Sequence, residues 1–320
     1  MVPQYKWEFV TDKPSWAGRD GAGALIFKDR MWLLGGWNPL DKKNFPTTTN
    51  SEVWSSQDGI NWSLELHKAP WEGRHTAGYT VHDNKMWIVG GDVNQGHYQN
   101  DVWSSTDGVR WQLVNADVPW GPRALHCTAS FKSELWIIGG QTIAGFVEND
   151  HLSIQDSFYR DVWKSPDGHE WTRVTKTAPW KKKGMVGGSI VLNSKLWLLG
   201  GGTYETPLTP ERTFSNEIWN TSDGIIWEPI SKSSPWMARQ YHDVAVFDKK
   251  MWVLGGYGIN HKNLNDVWYS PDGITWTELP DTPWTKRHAS SVFVFDQCLW
   301  IMAGNNTWPM VPDVWKLTKN

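Results

Sequence analysis

Residues 70–91 read PWEGRHTAGYTVHDNKMWIVGG, and residues 100–114 read NDVWSSTDGVRWQLV, followed by a second Pro-Trp pair at 119–120. In the first stretch an apolar alternating run ends in the polar turn HDNK, and a second run, MWIVGG, ends in small residues. In the second stretch DVWSS leads into an Asp-Gly turn, and a last run carries another tryptophan. Short β-rich runs punctuated by Asp-Gly and Gly-Gly read as hairpins, so the unit predicts four antiparallel strands.

The unit recurs. Aligned on its small-residue pair it occurs six times, at Gly35, Gly90, Gly139, Gly200 and Gly255, with Ala303 standing in the sixth. A period of about 45–60 residues matches propeller blades rather than helical solenoids. The last unit stops after its third strand, DVWKLTKN, and a fourth strand lies at the other end of the chain, in YKWEFVTDKPSW. Trp7 precedes Trp16 by nine residues, as Trp62 precedes Trp71 and Trp111 precedes Trp120. The sequence thus predicts an all-β, six-bladed β-propeller, one domain over 1–320, closed by the N-terminal strand pairing into the C-terminal blade. Closure removes the exposed edges of an open sheet. The blades fall at about 17–68, 72–117, 121–177, 181–233, 237–281, and 285–320 with 3–13.

Bulk properties exclude several classes of function. Charged residues make up 20% of the 320 and the net charge is −3, which favours neither nucleic acid nor an acidic membrane. No window of about 18 apolar residues offers a membrane span. The start, MVPQYKWEFV, lacks the apolar core of a signal peptide. A processed chain can begin this way, so a bacterial periplasmic or secreted location and a cytoplasmic one both stay open. Cys127 and Cys298 are the only cysteines, too few for a disulfide scaffold. Neither a DxDxDG calcium loop nor paired CxxC zinc ligands occur, and neither a metal nor another cofactor is expected.

The repeat serves as an internal control: what every unit carries belongs to the blade, and what one unit carries needs another reason. Of 26 tryptophans, 24 fall into four sets of six. The sets are Pro-Trp (Trp16, Trp71, Trp120, Trp180, Trp236, Trp284), pre-glycine (Trp32, Trp87, Trp136, Trp197, Trp252, Trp300), third-strand (Trp54, Trp103, Trp163, Trp219, Trp268, Trp315) and fourth-strand (Trp7, Trp62, Trp111, Trp171, Trp227, Trp276). Such aromatics fill the wedges between neighbouring sheets. Trp37 and Trp308 are left over, both in loops after the second strand. Either they stack on a ligand ring or they cover their loops.

Charge follows the same logic. A cation stands three residues after each Pro-Trp tryptophan (Arg19, Arg74, Arg123, Lys183, Arg239, Arg287), and an acid precedes each third-strand Val/Ile-Trp (Glu52, Asp101, Asp161, Glu217, Asp266, Asp313). Six of each in register predict ion pairs between blades or bonds from the guanidinium fork to carbonyls, with an anion site as the alternative. The residues just after each cation vary instead. They include Asp20, His75, His126, Tyr241, His242, Asp243 and His288, at the expected mouth of the central channel. The imidazoles and Tyr241 are candidate general acids or bases, because imidazole titrates near neutrality. Asp243 replaces the small residue that the other units have at its position (Gly23, Gly78, Cys127, Gly187, Ser291), and is either catalytic or a hydrated channel residue. Glu148, Asp150, His151 and Asp156 in the third unit's long loop show no diagnostic ligand spacing. Ligand-binding candidates besides the five arginines and Asp20 are Trp37, Trp308, Tyr257 and the adjacent Glu211 and Arg212.

The Gly-Gly pair, the later tryptophan and the arginine opening strand one resemble the kelch family over the whole chain. The SxDGxxW segments, such as Ser105 to Trp111, also look like the Asp-box turn of sialidases, one residue short between Asp and Gly. Six-bladed kelch proteins include bacterial sialic-acid mutarotases. That resemblance implies an acidic sugar, its carboxylate held by the arginines, with His75, His126, Tyr241, His242 or His288 moving protons and Trp37 and Trp308 stacking on the ring. Propeller polysaccharide lyases imply β-elimination with similar residues. The alternative is a non-catalytic kelch module binding carbohydrate, peptide or protein. The iron motif of some kelch proteins, Glu, Asp and His at four-residue intervals, is not met, since Leu152 stands four residues after Glu148. Neither cysteine sits where galactose-oxidase-like copper chemistry needs one. No carboxylate pair points to glycoside hydrolysis.

Overall fold

The computed structural model describes residues 4–40, 48–92, 97–142, 157–181, 188–205, 211–307 and 310–319. In the second repeat, strands Gly78–His82, Lys85–Asp92, Tyr98–Ser105 and Trp111–Asn115 pair in chain order as an antiparallel meander. The HDNK turn places Asp83 and Asn84 at φ of 45° and 53°, the twist that a two-residue hairpin needs.

Repeats one, two and three form separate four-stranded sheets of the same order. So does the last repeat, whose outer strand is Tyr5–Thr11 paired antiparallel with Val314–Lys319, Tyr5 opposite Lys319. Repeats four and five each carry a four-strand meander but share one nine-stranded sheet. The join is the short strand Arg239–Gln240, which pairs with Ser215 on one side and with Tyr257 and Gly258 on the other. The arrangement is all-β and propeller-like. First strands Gly23–Phe27, Gly78–His82, Cys127–Phe131, Gly188–Leu192, Asp243–Phe247 and Ser291–Phe295 neighbour one another in a cycle.

The core lies between sheets. Leu25, Phe27 and Trp32 of repeat one pack with Trp71, Met86, Ile88 and Trp111 of repeat two. Each tryptophan set has its own recurring contact. Indole N–H groups of the pre-glycine set donate to the carbonyl five residues back, as Trp87 to His82 at 2.9 Å. Third-strand indoles donate to the acid two residues earlier, as Trp103 to Asp101 at 2.7 Å. The Pro-Trp rings meet the fourth-strand rings edge-on, as Trp71 meets Trp111 at 6.0 Å and 81°. That orientation suits the ring quadrupoles.

In four repeats the second residue of the small-residue pair fastens one repeat to the next. Gly36, Gly91 and Gly256 donate their N–H to the carbonyls of Arg74, Arg123 and Arg287, and Gly304 donates to Arg19, joining the last repeat to the first. These glycines hold φ of 104–107°, which a side chain would oppose.

The cations take a different role from the one the pattern suggested. Arg74, fully buried, chelates Asp101 of its own repeat at 2.6 and 3.0 Å and donates to the Gly90 carbonyl at 2.9 Å. Arg123 with Asp161, Arg239 with Asp266 and Arg287 with Asp313 repeat the scheme, and Arg19 reaches one oxygen of Glu52 while donating to Gly35 O and Asn50 Oδ1. The expected pairs between blades are therefore pairs within one sheet, because the cation's strand entrance and the third-strand acid lie at the same end of a meander. The expected bonds to carbonyls are present. Lys183 lies outside the described residues.

Candidate functional site

The site is built from two positions of five repeats, brought face to face by backbone pairing. The residue after the cation bridges the residue after the small-residue pair: Asp20 to Trp37, His75 to Asp92, Ala124 to Gln141, Gln240 to Tyr257, and His288 to Asn305. One residue further on the chain turns left-handed, at Gly21, Thr76, Leu125, Tyr241 and Ala289, with φ of 51–59°. Only glycine takes this conformation freely, so four of these five positions carry local strain.

These strained residues form a collar. Leu125 N–H donates to Thr76, Thr76 to Gly21, Gly21 to Ala289, and Ala289 to Tyr241, each at 2.8–3.1 Å and each from one repeat to its neighbour. The collar floors a cavity of about 250 Å³ and separates it from the channel below. The volume suits a ligand of about one sugar ring, at or below the lower end for small-molecule sites.

Six sequence-predicted residues meet in this cavity: Asp20, Trp37, His75, Tyr241, Tyr257 and His288. Trp37 lies nearly parallel to the His75 ring at 6.1 Å and 25°, and its N–H donates to Thr48 Oγ1 at 3.1 Å. His75 Nδ1 stands 2.9 Å from Asp92 Oδ1, which also accepts from Thr76 Oγ1. Burial disfavours the charged imidazole, but the adjacent Asp92 carboxylate, and Asp20 more weakly, outweigh it and raise His75 to about 9. Asp20 Oδ2 accepts from Asn305 Nδ2 at 2.9 Å. Burial raises Asp20 to about 6, with His75 and Asn305 pulling the other way.

His288 is the opposite case. Its Nδ1 lies 2.7 Å from Asn263 Oδ1, and Asn263 Nδ2 donates to Asn305 O and Thr307 Oγ1. The amide orientation makes Asn263 Oδ1 the acceptor, so His288 Nδ1 carries the proton and Nε2 the lone pair. Burial, then the Arg212 cation, lowers His288 to about 4 and keeps it neutral at pH 7. Its ring packs against Tyr241 at 5.3 Å and Tyr257 at 5.8 Å. Tyr241 hydrogen-bonds Tyr204, and burial holds both phenols protonated, raised above their ordinary value. Arg212 lies over the Tyr204 and Tyr257 rings at 4.4 and 5.3 Å and pairs with Glu205 at 3.2 Å.

Other candidates lie elsewhere. Arg19, Arg74, Arg123, Arg239 and Arg287 are buried in their ion pairs, and none lines the cavity. His126 and His242 hold matching positions beneath the collar. His242 Nε2 contacts Leu199 O at 2.9 Å, and the His126 ring faces the Val89 backbone in the same way, each toward the preceding repeat's second strand. Burial, then Arg123, lowers His126 to about 3. Asp243 lines the channel and is raised to about 8 by burial. Glu211 is exposed and off the cavity. Trp308 lies outside the described residues, as do Glu148, Asp150, His151, Asp156 and Gly187.

Asp92, Tyr98 and Asn305 line the cavity without having been singled out from the sequence, and Tyr204, which the fourth repeat's loop offers beside Glu205, Glu211 and Arg212, lines it with them. Asp92 and Asn305 share Trp37's position, immediately after the small-residue pair, where the repeats read Trp, Asp, Gln, Gly, Tyr and Asn. The same internal comparison that isolated Trp37 identifies them once it is made at that position.

No protein-family profile and no curated protein matches the chain. Among solved structures, one titled "Structure of YjhT" superposes with a TM-score of 0.72 at 15% identity, covering 94% of this chain and 95% of that one. The likeness supports a kelch-like β-propeller fold. With 439 solved chains matching, the fold alone does not select an activity.

Proposed function

We propose that the chain is a six-bladed kelch-type propeller whose collar cavity binds a carbohydrate of about one ring and moves protons on it, as a mutarotase or epimerase does. The observation that carries this reading is the pair of imidazoles lining one cavity, His288 neutral with its Nδ1 bonded to Asn263 and His75 protonated against Asp92. Trp37 and the tyrosines supply the apolar faces that sugar rings stack on. Asp20, Asn305 and Thr307 supply hydroxyl partners.

Anomer exchange needs an acceptor at the anomeric hydroxyl and a donor at the ring oxygen. His288 Nε2 takes the hydroxyl proton as C1=O forms, the C1–O ring bond breaks, and the ring oxygen receives a proton from His75 Nε2. After rotation about C1–C2 the steps reverse, returning each proton to its imidazole. Neither nucleophile nor cofactor is required. Elimination by a lyase would use the same base, taking a C–H proton instead.

An acidic sugar is favoured by the Arg212 cation over Tyr204 and Tyr257, both of which line the cavity. The arginines at the strand entrances do not support it, since their charges are already paired. A binding module without catalysis is favoured by Asp92, which holds the His75 proton tightly.

The test is thermal-shift screening with neutral sugars, uronic acids and sialic acid, then magnetisation-exchange NMR of anomer interconversion on any sugar that binds. His288→Gln should bind with little change and lose the enzyme-catalysed exchange. Binding without exchange in the wild type leaves the module reading. Binding of none of these sugars refutes the carbohydrate reading, catalytic or not, and leaves a module for peptide or protein.

A further inference from the structure

Below the collar the channel opens into a second cavity of about 230 Å³. Tyr79, Thr128, Ser189, Asp243 and Ser290 make much of its polar wall, and Asp243 is the only carboxylate among the residues lining it. Among the described residues no lysine or arginine lines this cavity. Asp243 Oδ2 accepts from the Ser290 backbone N–H at 3.2 Å. Tyr79 Oη and Thr128 Oγ1 are buried with no hydrogen-bond partner among the described residues.

The fold adds further oxygens. Each first strand pairs on one side only, so its free edge turns unpaired carbonyls toward the channel. Ser189 Oγ, donating to Thr128 O at 3.4 Å, marks one of these carbonyls as accessible to channel-facing groups. A bare carboxylate in such a channel is costly to bury, and either a proton or a bound cation must offset its charge.

The geometry points to a binding site for one alkali-metal cation in the central channel, with the Asp243 carboxylate as its charged ligand and Thr128 and first-strand carbonyls as neutral ones. One carboxylate balances one monovalent charge. Hard neutral oxygens are the ligands from which K⁺ sites are built. Ca²⁺ usually takes more carboxylates, and transition metals prefer nitrogen or sulfur ligands. Among the described residues no group of three or more His, Cys, Asp or Glu could hold a metal ion, which removes the ligand set for those ions. Asp243 stands beside collar residues Tyr241 and Ala289 in the passage linking the cavities, so the cation would brace the collar from below.

The experiment follows thermal unfolding at constant ionic strength while choline chloride is replaced stepwise by NaCl, KCl or RbCl. The wild type should show a saturable rise in midpoint with at least one alkali ion. Asp243→Asn should lose that rise, and Thr128→Val should raise its half-saturation concentration about tenfold. Crystals grown in RbCl should show an anomalous peak beside Asp243. A wild-type midpoint indifferent to the ion overturns the proposal, as does a rise unchanged in Asp243→Asn or a rubidium peak elsewhere. Should Asp243→Asn not fold, Thr128→Val and the rubidium position decide. Sugar binding plays no part in these readouts, so this site and the proposed function stand or fall separately.

Discussion

Replacing Asp92 by Asn removes the charge that holds the His75 proton while keeping the side-chain shape. In the wild type His75 is raised from 6.5 to about 9. That interval of roughly 2.5 units, at about 1.4 kcal/mol per unit, corresponds to about 3 kcal/mol of linkage between protonation and folding. Because the folded value is the higher one, this stability is fully present below pH 6.5 and is lost as pH rises through about 9. The Asp20 shift, from 3.8 to about 6, has the same sign and acts in a separate window between those two values. Urea unfolding from pH 6.5 to 9.5 should therefore show wild-type stability falling by about 3 kcal/mol from this group, and Asp92→Asn should lose most of that fall. Imidazole NMR on the same samples reads the His75 titration directly. A wild-type His75 titrating at or below 6.5, or an unchanged pH dependence in Asp92→Asn, would refute the assignment of a charged imidazole to this cavity.

Three further outcomes follow from the packing. Gly108→Ala would bring a Cβ to 2.2 Å from Trp32 at φ +82°, whereas Gly121→Ala, at φ +76°, meets nothing within 4 Å. The second should cost about 1 kcal/mol in denaturant unfolding and the first several-fold more. Asp101→Asn leaves the Arg74 charge buried without its partner and should cost about 3–5 kcal/mol, read as a fall in the unfolding midpoint. Trp32→Ala should destabilise by about 3–5 kcal/mol. Trp37→Ala should weaken sugar binding about tenfold or more in calorimetry while costing much less stability, since Trp37 is half-buried at the cavity wall.

The internal repeat made much of this legible. Pro-Trp, Gly-Gly and Asp-Gly recur at fixed offsets, and each offset maps to a local event: a hairpin, a wedge-filling ring, a left-handed glycine. Pairing of Tyr5–Thr11 with the last strand was readable from the spacing of Trp7 and Trp16 for the same reason. The variable residues after each cation pointed to the channel mouth, and Asp20, His75, Tyr241 and His288 do line the cavity there. The arginine row's carbonyl bonds were legible, but its ion pairs were placed between blades, because spacing puts a cation and an acid at the same end of a unit without saying which units they join. His126 and His242 looked equivalent to His75 by composition. They sit two residues beyond the pairing position, below the collar, and face the preceding repeat.

By itself, then, the sequence determined the repeated unit, its strand order and the two places where units differ, because these rest on local periodicity and on comparison between copies. Tertiary structure decided which differing residues share a cavity. Asp20 and Asn305 lie 285 positions apart and touch only because the last repeat closes against the first. The protonation states were decided there too. Burial and a charge from another strand hold His75 charged and His288 neutral, two residues of the same type that the sequence alone could not tell apart.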